Sequence, residues 1–216
     1  MTTGDAEHYR QVFWIGGSVC AGKSTTAETL GERFGTQVYH FDRQEPFHIA
    51  RSIPEDQPHL IRFMSMTMDE RWVLRLPKEM AREVFASWTE RFAMVLEDLR
   101  RMLGEGPVIA EGVALFPELV ASLLVDQRYA TWLIFTPEFR EWMRRTRGRT
   151  IADHPRISDR DRAFRNLLER DLLIASYVEK QATEGGLTTI SVDNATVGTL
   201  ADRLEPQVRA WIRAIS

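Results

Sequence analysis

The run Gly17-Ser18-Val19-Cys20-Ala21-Gly22-Lys23-Ser24 follows an apolar tetrapeptide, Val12-Phe13-Trp14-Ile15, and leads into a helix-compatible stretch that ends at Gly35. It meets G-x-x-x-x-G-K-[ST] at every specified position, with a strand before it and a helix after it. Small residues let successive backbone N–H groups turn inward, and the helix N-terminus adds a partial positive charge, so such a loop cradles phosphate oxygens. Lys23 then places a point charge at the β- and γ-phosphates, and the Ser24 hydroxyl can ligate Mg²⁺. Cys20 sits at an unspecified position and reads as a small filler.

The remaining chain extends the strand–turn–helix theme. Gln37 to Phe41 reads as a second strand ended by Asp42, Pro107 to Ala110 as a third ended by Glu111-Gly112, Ala130 to Phe135 as a fourth and Leu187 to Val192 as a fifth. A helix is expected from about Ser158 to Thr183, and another from Val197 to Ile215. Alternation of this kind with short turns implies a mostly parallel α/β sheet with helices on both faces. One connection is much longer. Residues of about 45 to 103, between the second and third strands, carry Pro46, Pro54 and Pro58 and then apolar residues at helical spacing from Ala81 to Leu103. This reads as a helical insertion over the sheet edge where strands end, which is where ligands bind in open α/β sheets. No repeat or linker divides the 216 residues, so a single domain is expected.

Composition excludes several classes. Nine prolines and 13 glycines are too few for a disordered chain. No apolar run reaches the roughly 18 residues of a membrane span, and Asp5, Glu7, His8 and Arg10 break any signal-peptide core. The lone Cys20 cannot form an internal disulfide, so a cytoplasmic protein is expected. With 28 basic against 31 acidic residues the net charge is −3, which argues against nucleic acid as a partner. Within Arg140–Arg149, however, five arginines and one glutamate make a local +4. A cationic spot on an acidic molecule points to a small anionic ligand.

Asp42, at a strand end beside the loop, can accept a proton from a substrate hydroxyl, help hold Mg²⁺, or simply cap a turn. Glu111 closes the third strand and is a candidate metal-organising acid or a turn residue. His40 reads as a packing histidine. Arginines 144 to 149 around Gly148 suit stabilisation of a transferring phosphoryl group, or a solvated helix end. Arg160, Arg162, Arg165 and Arg170 alternate with acids, so most of them are expected in surface pairs. Met64, Met66, Met68, Trp72 and Trp88 read as core of the insertion, with an apolar pocket as the other reading. Most of Arg62, Arg71, Arg75, Arg82 and Arg91 are expected at the surface, with a substrate phosphate as their alternative partner.

With these residues in place, the chain resembles the small phosphate-loop kinases of the nucleoside- and nucleotide-kinase-like superfamily, such as uridine kinases, adenylylsulfate kinases and chloramphenicol phosphotransferases. His40-Phe41-Asp42-Arg43 and Glu111 to Pro117 also resemble a group of bacterial kinase-like proteins without an assigned substrate. The resemblance implies a three-layer P-loop fold with a five-stranded parallel sheet in the order 2-3-1-4-5. It implies ATP and Mg²⁺ as cofactors, held by Gly17, Ser18, Val19, Cys20, Ala21, Gly22, Lys23, Ser24 and Thr25, with Asp193 in the turn beside the adenine. Ser24 and Glu111 would serve the metal. Asp42, Lys23 and the lid residues Arg145 and Arg149 would carry catalysis, in a lid of about 144 to 155. Residues 45 to 103 match no substrate-recognition pattern. The expected function is phosphoryl transfer from ATP to a hydroxyl of a small-molecule acceptor, a nucleoside, sugar-like metabolite or antibiotic, with no membrane partner. A nucleotide-binding switch or regulatory ATPase, a nucleotide kinase and a polynucleotide-end kinase are the alternatives.

Overall fold

The computed structural model describes residues 3–146, 152–193 and 196–215. Its strands form where apolar runs meet glycine or acidic stops: β1 (Val12–Gly17), β2 (Gln37–His40), β3 (Val108–Glu111), β4 (Ala130–Phe135) and β5 (Thr188–Val192). All neighbouring pairs are parallel, and the order across the sheet is β2-β3-β1-β4-β5. The three central strands are buried on both faces, which explains their unbroken apolar character.

Alternation along the strands divides the core. Trp14, Val108, Ala110, Trp132 and Ile134 face one layer, against α6 (Pro77–Glu90), α7 (Phe92–Leu103) and α10 (Arg160–Glu184). Phe13, Ile15, Ile109, Leu133 and Phe135 face the other, against α2 (Lys23–Phe34) and α11 (Leu200–Ile215). Full burial of a side chain such as Phe13 or Leu30 stabilises the fold by about 1.5–3 kcal/mol. The buried indoles of Trp132 and Trp211 donate to the carbonyls of Leu115 and Arg10 at 2.8 and 3.0 Å.

The long connection is helical: α3 (Glu45–Arg51), α4 (Pro58–Ser65), α5 (Met68–Trp72), α6 and α7. The apolar spacing from Ala81 to Leu103 predicts continuous helix, whereas the chain turns at Arg91 between α6 and α7. Neither Gly nor Pro marks the break. The side chain of Glu90 accepts from the N–H groups of Leu60 and His59 at 2.7 and 3.2 Å, so it satisfies the free donors of α4. A tertiary contact fixes this junction, and periodicity cannot register it.

The 25-residue α10 bridges the two parts of the molecule. Ile174, Val178 and Ala182 pack on the sheet side. Ala163 and Leu167 pack on Trp72, Val73 and Met80 of the insertion. Asn166 Nδ2 also donates to the Trp72 and Val73 carbonyls at 3.0 and 3.2 Å, closing the end of α5. The remaining helices are α1 (Thr3–His8), α8 (Pro117–Ala121) and α9 (Pro137–Thr146). Among the described residues, no helix is long and apolar enough to cross a membrane.

Candidate functional site

The Gly17–Ser24 loop is held close to the sheet by its glycines. Gly17 has φ +119°, and a Cβ there would lie 2.1 Å from the Leu133 carbonyl oxygen. Gly22 is also left-handed, with φ 82°. Cys20 adopts φ 60° with an exposed side chain, a conformation uncommon for a residue with a Cβ. The position described as filler therefore carries a backbone requirement as well. Ser18 N–H donates to the Leu133 carbonyl at 2.8 Å, tying the loop to β4.

Lys23 opens α2 and is buried, its Nζ donating to the Ser18 carbonyl at 2.7 Å. Burial lowers its pKa, opposed by the negative charges of Glu111 and Asp42. Nearby negative charge of this kind offsets the cost of burying the ammonium.

Register explains the next contact. Ile15, Glu111 and His40 are partners across β1, β3 and β2, so their side chains share the face that α2 covers. Ser24, in the first turn of α2, donates to Glu111 Oε1 at 3.0 Å. His40 Nδ1 lies 2.7 Å from the same oxygen, and its Nε2 is 3.6 Å from Glu28, which pairs with Arg43. His40 is buried, as a packing histidine is expected to be, and it is also the partner of Glu111, because strand register puts them side by side. Among the described residues, no three His, Cys, Asp or Glu side chains form a metal cage. The oxygens of Ser24 and Glu111 are a smaller donor set, of the hard kind that suits Mg²⁺ when phosphates and water complete the shell.

Strand β2 ends at His40, and Asp42 opens a 3₁₀ turn at residues 42–44. Its exposed carboxylate lines a cleft of about 910 Å³ that reaches from Val19 of the loop into the insertion. Phe41, Phe63, Trp72 and Trp88 line the cleft, as does Met64. Met64, Trp72 and Trp88 thus line a pocket, while Trp72 and Trp88 also pack in the core as expected. Met68 packs in the cluster around Trp72, while Met66 accepts a contact from Arg75 at 3.6 Å.

Four arginines also line this cleft: Arg71, Arg75, Arg91 and Arg170. Arg170 is paired with Asp171 at 2.6 Å, as its charge pattern suggests, but the pair is not at the surface: Arg170 is buried over the Trp72 ring. Arg75 pairs with Glu83 at 3.2 Å. Arg71 donates to the carbonyls of Met64 and Met66 at 2.7 and 3.0 Å. Arg91 is 1% exposed, also contrary to the surface expectation, since the turn after α6 drives it inward over the Phe41 ring. Arg62 and Arg82 are exposed, as expected. The sequence named Arg91 as one of five arginines that could meet a phosphate, but its spacing could neither single it out nor place Arg170 in the cleft.

The remaining predicted positions are Asp193 and the lid arginines. Asp193 sits in a reciprocal turn, accepting from Thr196 N–H at 2.7 Å while its own N–H donates to Thr196 Oγ1 at 2.9 Å. Arg149 lies outside the described residues, as do positions 147, 148, 150 and 151 of the expected lid. Arg145 falls in the last turn of α9, its side chain likewise outside the described residues.

No protein-family model matches the chain, and no curated protein does either. Among solved structures it is similar to an uncharacterized protein from Eubacterium ventriosum ATCC 27560, with 11% identity and a TM-score of 0.44 over 92% of this chain and 98% of that one. A likeness this weak carries neither fold nor function across.

Proposed function

We propose that the protein is an ATP- and Mg²⁺-dependent phosphotransferase of the P-loop type, acting on a hydroxyl of a small molecule. One observation carries the reading. Val19, in the loop that also bears Lys23 and Ser24, lines the same cleft as Asp42, which supports adjoining places for donor and acceptor.

In this reading the loop N–H groups and the N-terminus of α2 hold the ATP phosphates. Lys23 leaves the Ser18 carbonyl for the β- and γ-phosphates, where an anion offsets the cost of burying its charge. Ser24 and Glu111 hold Mg²⁺, with His40 fixing the Glu111 carboxylate. When bound, Mg²⁺ neutralises charge that builds on the phosphate oxygens. Asp42 orients the acceptor hydroxyl and takes its proton. Arg145 and Arg149 stabilise the transferring group, and Asp193 borders the adenine. The insertion covers the acceptor and limits hydrolysis by water.

A screen of ATP consumption against hydroxylated metabolites and antibiotics tests this. The expected result is acceptor-dependent ADP formation with phosphate recovered on the acceptor. ATP hydrolysis at one rate with every compound would instead favour a regulatory ATPase and overturn the reading.

A further inference from the structure

Arg91 is the most deeply buried of the four arginines that line the cleft. Its guanidinium stacks 4.2 Å from the Phe41 ring centroid, and its nearest carboxylate oxygen among the described residues is Glu45 Oε1 at 3.8 Å. Glu45 itself is half exposed. The short contacts that neutralise Arg75 and Arg170 are missing. Burial also lowers the Arg91 pKa, as expected for a charge whose partners are weak. A buried guanidinium costs several kcal/mol unless it is well paired.

The surroundings orient this charge. His48 is fully buried and its Nε2 lies 2.7 Å from Asp98 Oδ2. Burial lowers the His48 pKa, so the ring is neutral, with its proton on Nε2 facing Asp98. Nδ1 is left to accept from Arg91 Nε and Nη2 at 3.4 and 3.3 Å. Arg51 and Tyr39 also donate to Asp98, at 2.8 and 3.3 Å, so the charge of Asp98 is spent on them and on His48. The network fixes the Arg91 fork without neutralising it.

We propose that Arg91 recognises an anionic group, carboxylate or phosphate, on a ring-bearing ligand whose body lies along Phe41 and Trp88 in this cleft. Resting on the phosphotransferase reading, the ligand is the acceptor, with its hydroxyl directed to Asp42. A forked guanidinium matches both anions in two-point fashion, and the flanking aromatic rings supply flat apolar contact.

Calorimetric titration with ADP·Mg²⁺ in excess, so that the loop is filled, tests this with matched probes. These are 4-hydroxybenzoate against 4-hydroxybenzamide, and phenyl phosphate against phenol. Wild type is expected to bind at least one anion about tenfold or more tightly than its neutral counterpart, as one charge-assisted contact implies. The preferred pair tells carboxylate from phosphate. In Arg91→Met the preference should collapse towards one, with neutral-probe affinity kept. Should Arg91→Met not fold, Arg91→Lys retains a cation but lacks the fork, and its preference should fall between wild type and one. Equal binding of anion and neutral probe by wild type, or an unchanged preference in a folded variant, overturns the inference. Failure of the phosphotransferase reading is distinguishable: no acceptor would then raise ADP formation, while Arg91-dependent anion binding would persist.

Discussion

The two walls of the cleft are built by opposite routes. One wall is reached by Val19 of the eight-residue loop Gly17 to Ser24, whose turn uses positive φ at Gly17, Cys20 and Gly22. The other wall gathers Asp42, Trp72, Trp88, Arg91 and Arg170 from α5, α6, α10 and two turns. A contiguous loop offers donors to a repeated group such as phosphate, whereas an assembled surface can be varied piece by piece. In the proposed reading, donor chemistry resides in the first wall and acceptor choice in the second.

The sharpest way to break that division is Lys23→Ala. Loss of the buried ammonium should lower kcat by about 10³-fold or more while the fold persists. Circular dichroism with a turnover assay checks both parts, and full activity in a folded variant removes the loop from catalysis. Asp42→Asn, on the opposite wall, should lower kcat by about 10²- to 10³-fold with ATP affinity nearly unchanged. If ATP·Mg²⁺ affinity falls instead, as read by titration, Asp42 belongs to the metal and the two walls are less separate than proposed.

Gly17→Ala tests how tightly the first wall is built. At φ +119° with the Leu133 carbonyl in the way, it should cost about 1–3 kcal/mol or more, visible as a lower Tm. A Tm matching wild type would mean that the loop can yield. Trp88→Ala should spare ATP binding and raise acceptor KM, which steady-state kinetics with each substrate varied would separate.

The smallest effect concerns pH. The His48 pKa is lowered from 6.5 by burial and by the Arg91 charge, against the pull of Asp98. The unfolded chain then binds more protons below that value, so stability present above pH 6.5 is lost as pH falls towards the folded pKa. Thermal melts should show this slope in wild type and a shallower one in His48→Asn. Equal slopes would remove His48 from the acid response.

Sequence alone determined the strand–loop–helix unit, the parallel alternation and the positions of Asp42 and Glu111 at strand ends. These are local: apolar runs, glycine conformations and helix periodicity act over a few neighbouring residues. The order 2-3-1-4-5 came from resemblance, and the sheet has it. Tertiary structure decided the rest. His40 meets Glu111 through strand register across 71 positions. Glu90 reaches back to α4, and the turn beside it buries Arg91 over Phe41, next to a histidine 43 positions away. Whether a charge on an apolar stripe is solvated or buried depends on which helix packs over it, and no local pattern contains that information.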